Sequence, residues 1–280
     1  MKYFSNININ ISSFFTLVIL ISFLTGCQKD SLQTLPERSW ELVWSDEFDS
    51  TSGTLPDPSK WQYDLGTGAS GWGNNELQYY TDRVDNVAQD GNGNLIITAK
   101  KENYSGSAFT SARIKTKGLF SQTYGRVEAR IKTPYGPGIW PAFWMLGNNI
   151  DSISWPNCGE IDIMEMKGHQ PNIIYGTVHG PGYSGGSSIT KSYAIQNQRF
   201  DADFHLYAIE WQKDQIDFFV DDFLYERITP NDVKGKWVFN NPFYIIMNLA
   251  IGGNFVGYPT ESTFFPQKMT IDYVKVYKSI

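Results

Sequence analysis

Residues 159–165 read GEIDIME, a stretch in which acidic side chains alternate with apolar ones after a glycine. Successive side chains of a β-strand point to opposite faces, so Glu160 and Asp162 are predicted to share one face. Strict alternation would place Met164 on that face and Glu165 on the other. A β-bulge adds one residue to a strand, and a bulge here would bring Glu165 round to the other two acids. The stretch therefore predicts a bulged strand with three carboxyl groups on one face.

Three neighbouring carboxyl groups repel one another when they are ionised, which is unfavourable. Their presence therefore indicates a functional site. One ionised and one protonated carboxyl are the pair that a glycosidase needs to break a glycosidic bond. The alternative is an ordinary strand with a hydrated acidic face, since solvated strand faces are common. Trp140, Trp144 and Trp155 lie near this strand in the sequence and favour a sugar-binding cleft.

Short alternating segments recur along the chain and predict an all-β fold. Arg126–Lys132 alternates cleanly, with three apolar residues on one face. Further β-rich stretches occupy residues 95–100, 206–211, 216–220 and 269–277. Turn residues separate them, and no window carries the sustained 3.6-residue apolar stripe of a helix. Many short strands joined by turns indicate a sandwich or jelly roll, and residues 38–280 are predicted to form one domain.

Composition and charge narrow the class of partner. The 280-residue chain has nine Trp, sixteen Tyr, eighteen Phe and 25 Gly, as expected of a strand-and-turn protein with an aromatic binding surface. Its formal net charge of −6 argues against nucleic acid or an anionic membrane surface as partner. A neutral polysaccharide would be indifferent to this charge.

The N-terminus is predicted to be a lipoprotein signal peptide, residues 1–26. Lys2 supplies a basic start, and the apolar run Phe14–Leu24 is short for a membrane span. The next residues, LTGC at 24–27, resemble a bacterial lipobox, which implies cleavage before Cys27 and a lipid on that cysteine. The alternative is an ordinary thiol after a cleaved signal. Residues 27–37 are predicted to be a tether, and the protein is expected at the outer membrane or cell surface.

Lipidation of Cys27 would leave Cys158 without an intrachain disulfide partner, so the fold is expected to rest on packing. Cys158 precedes Glu160 by two residues, but no histidine is adjacent in sequence, which favours a buried, inert thiol over a catalytic one. The chain has no glycine-rich phosphate motif and no Cys/His zinc spacing, so no cofactor is implied.

The acidic stretch resembles the signature of glycoside hydrolase family 16, in the form with one extra residue before the last glutamate. Further stretches resemble the laminarinase-like branch of that family, in the same order: WSDEF (44–48), WGNNELQYY (72–80), GIWPAFW (138–144), GTVH (176–179) and NLAIGG (248–253). The resemblance implies a jelly roll of two curved antiparallel sheets with a concave substrate cleft. It also implies a retaining, endo-acting β-1,3-glucanase.

The resemblance implies a role for each acid of the bulged strand. Glu160 would be the nucleophile and Glu165 the general acid/base, while Asp162 would hydrogen-bond the nucleophile and tune the pair. Retaining enzymes hold their two carboxyls about 5–5.5 Å apart and inverting enzymes about 6.5–9.5 Å apart, a distance that sequence does not provide.

Motif position makes Asn74, Glu76 and Arg113 the polar candidates for sugar recognition. Sugar rings stack on flat aromatic faces, which makes Trp140, Trp144 and Trp155 candidates. Trp140 and Trp144 are four residues apart and would share a strand face if Pro141 does not break the register. His179 follows the acidic strand and is a further candidate. Core packing remains an alternative for each tryptophan, a surface cation for Arg113, and a structural role for His179.

Some family members carry calcium on the convex face, away from catalysis. The matching positions are Glu47, Gly93 through its carbonyl, and Asp272, and oxygen ligands suit calcium. Such an ion would be structural, since none is required for the reaction.

Two classes of function fit these observations. The leading hypothesis is a monomeric β-1,3-glucanase at the cell envelope, with mixed-linkage β-glucan or another family 16 polysaccharide as alternative substrate. The extra Met164 argues against the compact lichenase form, and the scarcity of basic side chains in the aromatic motifs argues against sulfated galactans. A non-catalytic glucan-binding lipoprotein is the alternative class, and the presence of both Glu160 and Glu165 favours the enzyme.

Overall fold

The computed structural model describes residues 38–280, which form two β-sheets packed face to face. The predicted signal peptide, Cys27 and the tether lie outside these residues. Within the described part of the chain the helical segments are a single turn at Gly71–Asn75 and a 3₁₀ turn at Gly185–Ser187. Neither has the length or apolarity to cross a membrane. The all-β prediction is confirmed.

The first sheet has ten strands. They are β1 (Trp40–Asp46), β3 (Gln78–Tyr80), β4 (Val87–Gln89), β5 (Leu95–Tyr104), β6 (Ser107–Ser111), β8 (Gly125–Lys132), β13 (His205–Gln212), β14 (Gln215–Val220), β15 (Phe223–Ile228) and β17 (Gln267–Ser279). Their order is β15-β14-β13-β8-β17-β5-β6-β3, with β1 paired to β17 and β4 to β5. All pairs are antiparallel except β3 with β6.

The second sheet has seven strands and carries the acidic stretch. They are β2 (Gln62–Tyr63), β7 (Arg113–Lys115), β9 (Ile139–Gly147), β10 (Glu160–Glu165), β11 (Ile173–His179), β12 (Ile189–Ala194) and β16 (Phe243–Ile251). The order β12-β11-β10-β9-β16-β7-β2 places β10 near the middle, between β9 and β11. A central strand is held on both edges, so its side chains are positioned rigidly.

The hydrophobic core lies between the sheets, where alternating strands bury their apolar faces. Val127, Ala129 and Ile131, predicted to share one face of β8, are all fully buried. Phe143 and Met145 of β9 belong to the same core. Each large side chain buried in this way contributes about 1.5–3 kcal/mol. This face-to-face packing leaves the other face of the seven-stranded sheet free for a site.

Strand β10 contains the predicted bulge. Asp162 pairs with Trp144 of β9 and Met164 with the next β9 residue, Phe143, so β10 has one extra residue between them. Ile163 and Met164 are therefore consecutive core residues, buried to 1% and 0% exposure. This reverses the alternation and turns the last glutamate of the strand to the same face as the first two acids.

Cys158, just before β10, is fully buried and free. Burial and the neighbouring Glu160 raise the pKa of its thiol to about 11. A protonated, inaccessible thiol is a poor nucleophile, which agrees with the predicted inert role.

Glu226 of β15 is a carboxyl group buried between the two sheets. One of its oxygens and the hydroxyl of Tyr225 point at Gly176 of β11, where a Cβ atom would lie 3.2 Å and 2.3 Å from them. Neither atom has a hydrogen-bond partner among the described residues. Burial raises the pKa of Glu226 to about 8, with Lys191 opposing the rise and Asp232 adding to it.

We expect Glu226→Gln to remove a pH-dependent loss of stability. The pKa of Glu226 is about 8 in the folded protein and about 4.5 in the unfolded chain. The stabilisation of the folded state by the protonated carboxyl is therefore fully present below pH 4.5 and is lost as pH rises through 8. Between pH 5 and pH 9 the wild-type free energy of unfolding should fall by a few kcal/mol more than that of the variant. Urea denaturation at both pH values measures this. Glu261→Gln, at an exposed position, is the matched control, and equal pH dependence of all three proteins would contradict the expectation.

Candidate active site

A cleft of about 860 Å³ lies on the face of the seven-stranded sheet that points away from the core. The three acids of β10 line it: Glu160, Asp162 and Glu165. All seven residues predicted to contact sugar line it as well: Asn74, Glu76, Arg113, Trp140, Trp144, Trp155 and His179. The fold thus brings together residues that are spread over more than a hundred positions of the sequence.

His179 faces the acids because it is the direct cross-strand partner of Glu160. Its Nε2 atom lies 3.2 Å from Asp162 Oδ2 and 3.6 Å from Glu160 Oε1. The backbone N–H of Gly185 donates to its Nδ1 atom over 3.1 Å. In the neutral imidazole, a nitrogen that accepts this bond carries no proton, so the bond favours the neutral tautomer with its proton on Nε2, directed at the carboxyls.

Two tryptophans donate hydrogen bonds to the outer acids. Trp155 Nε1 donates to Glu160 Oε2 over 2.8 Å, and Trp140 Nε1 donates to Glu165 Oε1 over 3.0 Å. Trp140 and Trp144 share a face of β9, as predicted, because Pro141 does not interrupt its pairing with β16. Trp140 and Trp155 therefore donate hydrogen bonds to the acids, and all three tryptophans line the cleft instead of only filling the core.

Burial and repulsion control the protonation of the acids. Burial, and next the charge of Asp162, raise the pKa of Glu160 to about 8 and lift that of Glu165 well above its ordinary value. Burial alone would lower the pKa of His179, but the three acids raise it to about 9. The acids therefore retain a proton at neutral pH, and negative charge is best placed beside His179. Glu160 lies 3.6 Å from His179 and holds the negative charge more readily, so Glu165 is the better place for the proton.

Arg113 is a fixed part of the cleft wall, not a free surface cation. Its guanidinium carbon lies 4.8 Å from the ring centre of Trp72 and 4.8 Å from that of Trp144, so the two rings sandwich it. Asp64 forms an ion pair with its Nε over 2.9 Å. Trp72 was not among the residues predicted for the site, although it belongs to the WGNNELQYY stretch. It lies in the turn Gly71–Asn75, at φ 55°.

Sequence reasoning also missed residues at other parts of the cleft. Asn248 of β16 accepts a hydrogen bond from Trp144 Nε1 over 2.8 Å. Phe255 packs against Trp140 and Tyr175, with ring centres 5.2 Å and 5.5 Å apart. Asn248 begins the NLAIGG stretch, which was a usable signal. Phe255 lies in a loop whose pattern carries no comparable signal.

Glu76 is held in place by hydrogen bonds from two neighbours. Gln78 Nε2 donates to its Oε2 over 2.6 Å and the Tyr80 hydroxyl over 3.2 Å. Burial raises its pKa, while these bonds and Arg113 oppose the rise. The backbone of Asn74 accepts from the N–H of Asn254 over 2.8 Å, which closes this side of the cleft.

The predicted calcium ligands lie away from the cleft. A Cβ atom on Gly93 would be 3.9 Å from the carbonyl oxygen of Glu47, so these two residues are neighbours. The carboxylate of Glu47 pairs with Lys275 over 3.1 Å, and that of Asp272 pairs with Arg130 over 2.5 Å. Both carboxylates already have a cationic partner, and calcium binding here stays a prediction.

The family model described as Glycosyl hydrolases family 16 matches residues 74–275. The chain belongs to this family. It is therefore a glycoside hydrolase by family, and the resemblance drawn from the short motifs is confirmed.

The relatives of this family 16 chain cover most of its length. A β-glucanase from Rhodothermus marinus is 46% identical, over 92% of the chain and 93% of the relative. The laminarinase catalytic domain from Thermotoga maritima MSB8 is 48% identical, with a TM-score of 0.82 over 86% of the chain and 99% of that domain. The catalytic domain of an endo-1,3-β-glucanase from Thermotoga petrophila RKU-1 is 47% identical, with a TM-score of 0.83 over 87% and 99%. The predicted jelly roll is confirmed.

The indole of Trp140 offers a test of proton control in this family 16 hydrolase. Its N–H lowers the pKa of Glu165, so Trp140→Phe should raise that pKa and move the alkaline limb of the kcat/KM profile upward by about one pH unit. Trp144→Phe is the matched control, because its N–H donates to Asn248 instead. Profiles of the three proteins on a soluble β-glucan measure the shift, and an equal shift in both variants would contradict the assignment.

Proposed function

We propose that this protein is a retaining, endo-acting β-1,3-glucanase that cleaves laminarin-like polymers through a glycosyl-enzyme intermediate. The observation that carries the proposal is the bulge in β10, which brings Glu160 and Glu165 onto one face of a cleft. Each of these carboxyls accepts a hydrogen bond from a different tryptophan. The names of its relatives support β-1,3-glucan as the substrate and internal cleavage as the mode.

In the first step Glu160 acts as nucleophile. Its carboxylate attacks the anomeric carbon, and the bond from that carbon to the glycosidic oxygen breaks as Glu165 gives its proton to that oxygen. The product leaves with a new hydroxyl, and the sugar remains bound to Glu160 as an ester. Trp155 and His179 favour the ionised form of Glu160 before the attack.

In the second step Glu165 acts as base. Ester formation removes the negative charge of Glu160 and so lowers the pKa of Glu165. Glu165 is then ionised, and its carboxylate can act as the base. Water gives this proton to Glu165 and attacks the anomeric carbon, which releases Glu160 as a carboxylate. Two displacements at one carbon retain its configuration. Asp162, between the glutamates, repels charge on both and thereby tunes the pair.

Product analysis tests the proposed substrate. The purified protein is incubated with laminarin, barley mixed-linkage β-glucan and agarose, and chain length is followed over time. We expect a rapid fall in laminarin chain length with a series of small oligosaccharides, slower cleavage of mixed-linkage glucan, and intact agarose. Preferred cleavage of barley glucan would favour a mixed-linkage enzyme. Binding of laminarin without cleavage would overturn the enzyme proposal and favour a glucan-binding lipoprotein.

We also propose that the protein is a monomer anchored at the cell envelope through a lipid on Cys27. The LTGC sequence at residues 24–27 supports the lipid anchor. Metabolic labelling with an alkyne-bearing fatty acid should label the wild-type protein and not Cys27→Ser. The wild type should also fractionate with membranes. Equal labelling of both proteins, or none of either, would contradict the anchor.

A further inference from the structure

Three side chains of the cleft form a cluster that could bind a metal ion, although the glycosidase reaction proposed above uses no metal. Glu160, Asp162 and His179 each present one ligand atom, and these atoms lie within 4.8 Å of one another. We propose that they form a transition-metal site, at which Zn²⁺ binds in place of sugar and blocks catalysis. The blocking of catalysis rests on the proposed function, whereas metal binding does not.

The spacing of the ligand atoms suits a zinc ion. Zinc lies about 2.0–2.1 Å from imidazole nitrogen and carboxylate oxygen, so two ligands of a tetrahedral site are about 3.4 Å apart. His179 Nε2 lies 3.2 Å from Asp162 Oδ2 and 3.6 Å from Glu160 Oε1. Both distances are within about 0.2 Å of the required edge. The three atoms lie within 4.8 Å of one another, so the two carboxylates would move together by up to about 1.4 Å to complete the site.

The Asp162 carboxylate provides independent support. Its side chain is only 5% exposed, and Oδ2 forms an ion pair with His179 Nε2 over 3.2 Å but makes no hydrogen bond of good geometry. A buried carboxylate oxygen without a well-formed hydrogen bond is costly, and a bound cation would lower that cost. The oxygen lies next to the other two ligands, where the cation would lie.

The ligand types select the class of metal. One imidazole with two carboxylates suits zinc and its neighbours, whereas calcium and magnesium prefer oxygen ligands alone. The cluster borders the cleft, so the fourth position would be open to water.

Zinc binding would break the hydrogen bond from the backbone N–H of Gly185 to His179. Zinc on Nε2 moves the imidazole proton to Nδ1, which then cannot accept the N–H of Gly185. Gly185 lies in an exposed 3₁₀ turn, so this contact can be released. Loss of this supporting bond favours reversible binding. A coordinated Glu160 cannot attack a sugar, so zinc and substrate should compete.

Isothermal titration of ZnCl₂ into the purified, metal-free full-length protein tests the site. We expect one site in the wild type and at least about tenfold weaker binding in His179→Gln, since loss of even an outer-shell partner costs 10–100-fold. His205→Gln is the matched control, because His205 pairs with Asp221 on the other sheet. Glu165→Gln retains all three ligands and should bind zinc like the wild type even though it lacks the acid.

The activity measurement is separate from the binding measurement. Zinc should inhibit laminarin cleavage competitively, and a chelator should restore it. Unchanged binding in His179→Gln, or no binding to the wild type, would overturn the site. If the protein binds zinc through His179 but cleaves no glucan, the metal site stands and the proposed function fails.

Discussion

Glu160→Gln is expected to lower kcat on laminarin by on the order of 10⁴-fold or more, the scale seen when a covalent nucleophile is removed. The amide has nearly the same shape as the carboxylate but cannot form the glycosyl ester. Because glutamine and glutamate have nearly the same volume, the substitution should leave the fold unaffected. Circular dichroism and thermal unfolding would verify this, and initial rates on laminarin measure the effect.

Azide provides a sharper test of the role of Glu160. In Glu160→Ala, azide can enter the space of the missing carboxylate and attack a β-glycoside with an activated leaving group. One displacement inverts the configuration, so an α-glycosyl azide is expected. Glu76→Gln is the matched control, because Glu76 lines the same cleft and should affect binding more than chemistry. A β-glycosyl azide from Glu160→Ala would show that the nucleophile is another residue.

Glu165→Gln is expected to lower kcat on laminarin by about 10²–10⁴-fold, the usual contribution of general acid–base catalysis. An aryl glycoside with an acidic phenol as leaving group needs no proton, so its glycosylation step should be much less affected. The alkaline limb of the kcat/KM profile should also disappear, because the limb reports loss of the proton from Glu165. Rates on both substrates over a range of pH values measure these effects.

The two glutamate variants are distinguishable by their response to azide. Glu165→Ala retains the nucleophile, so azide should attack the glycosyl ester on Glu160 and produce a β-glycosyl azide. An equal loss of activity on both kinds of substrate, with no azide product, would contradict the role of Glu165 as acid and base.

Much of the fold could be predicted from local patterns. The alternation of Arg126–Lys132 corresponds to β8, and its apolar face is the buried one. The bulge in β10 followed from counting residues between Glu160 and Glu165, because side-chain direction in a strand depends on parity alone. The cleft tryptophans of β9 followed from the same rule.

Other parts of the site could not be predicted by such counting. His179 faces the acids because β11 pairs with β10 in one particular register, and a shift of one residue would turn its side chain to the opposite face. Trp72 and Trp144 sandwich Arg113 across a gap that no local pattern measures. In the sequence Glu226 is indistinguishable from a solvent-exposed strand glutamate. It is buried because Gly176 of the other sheet packs against it.

The sequence by itself therefore determined the all-β class, the face on which the acids lie and the family to which the chain belongs. These properties depend on the order of residues within single strands, and the backbone period of two converts order directly into direction. Only the tertiary structure decided which hydrogen bonds the acids receive, where their proton resides and which atoms could hold a metal. Those properties depend on distances between residues far apart in the chain, and these distances exist only once the strands have paired and the sheets have packed.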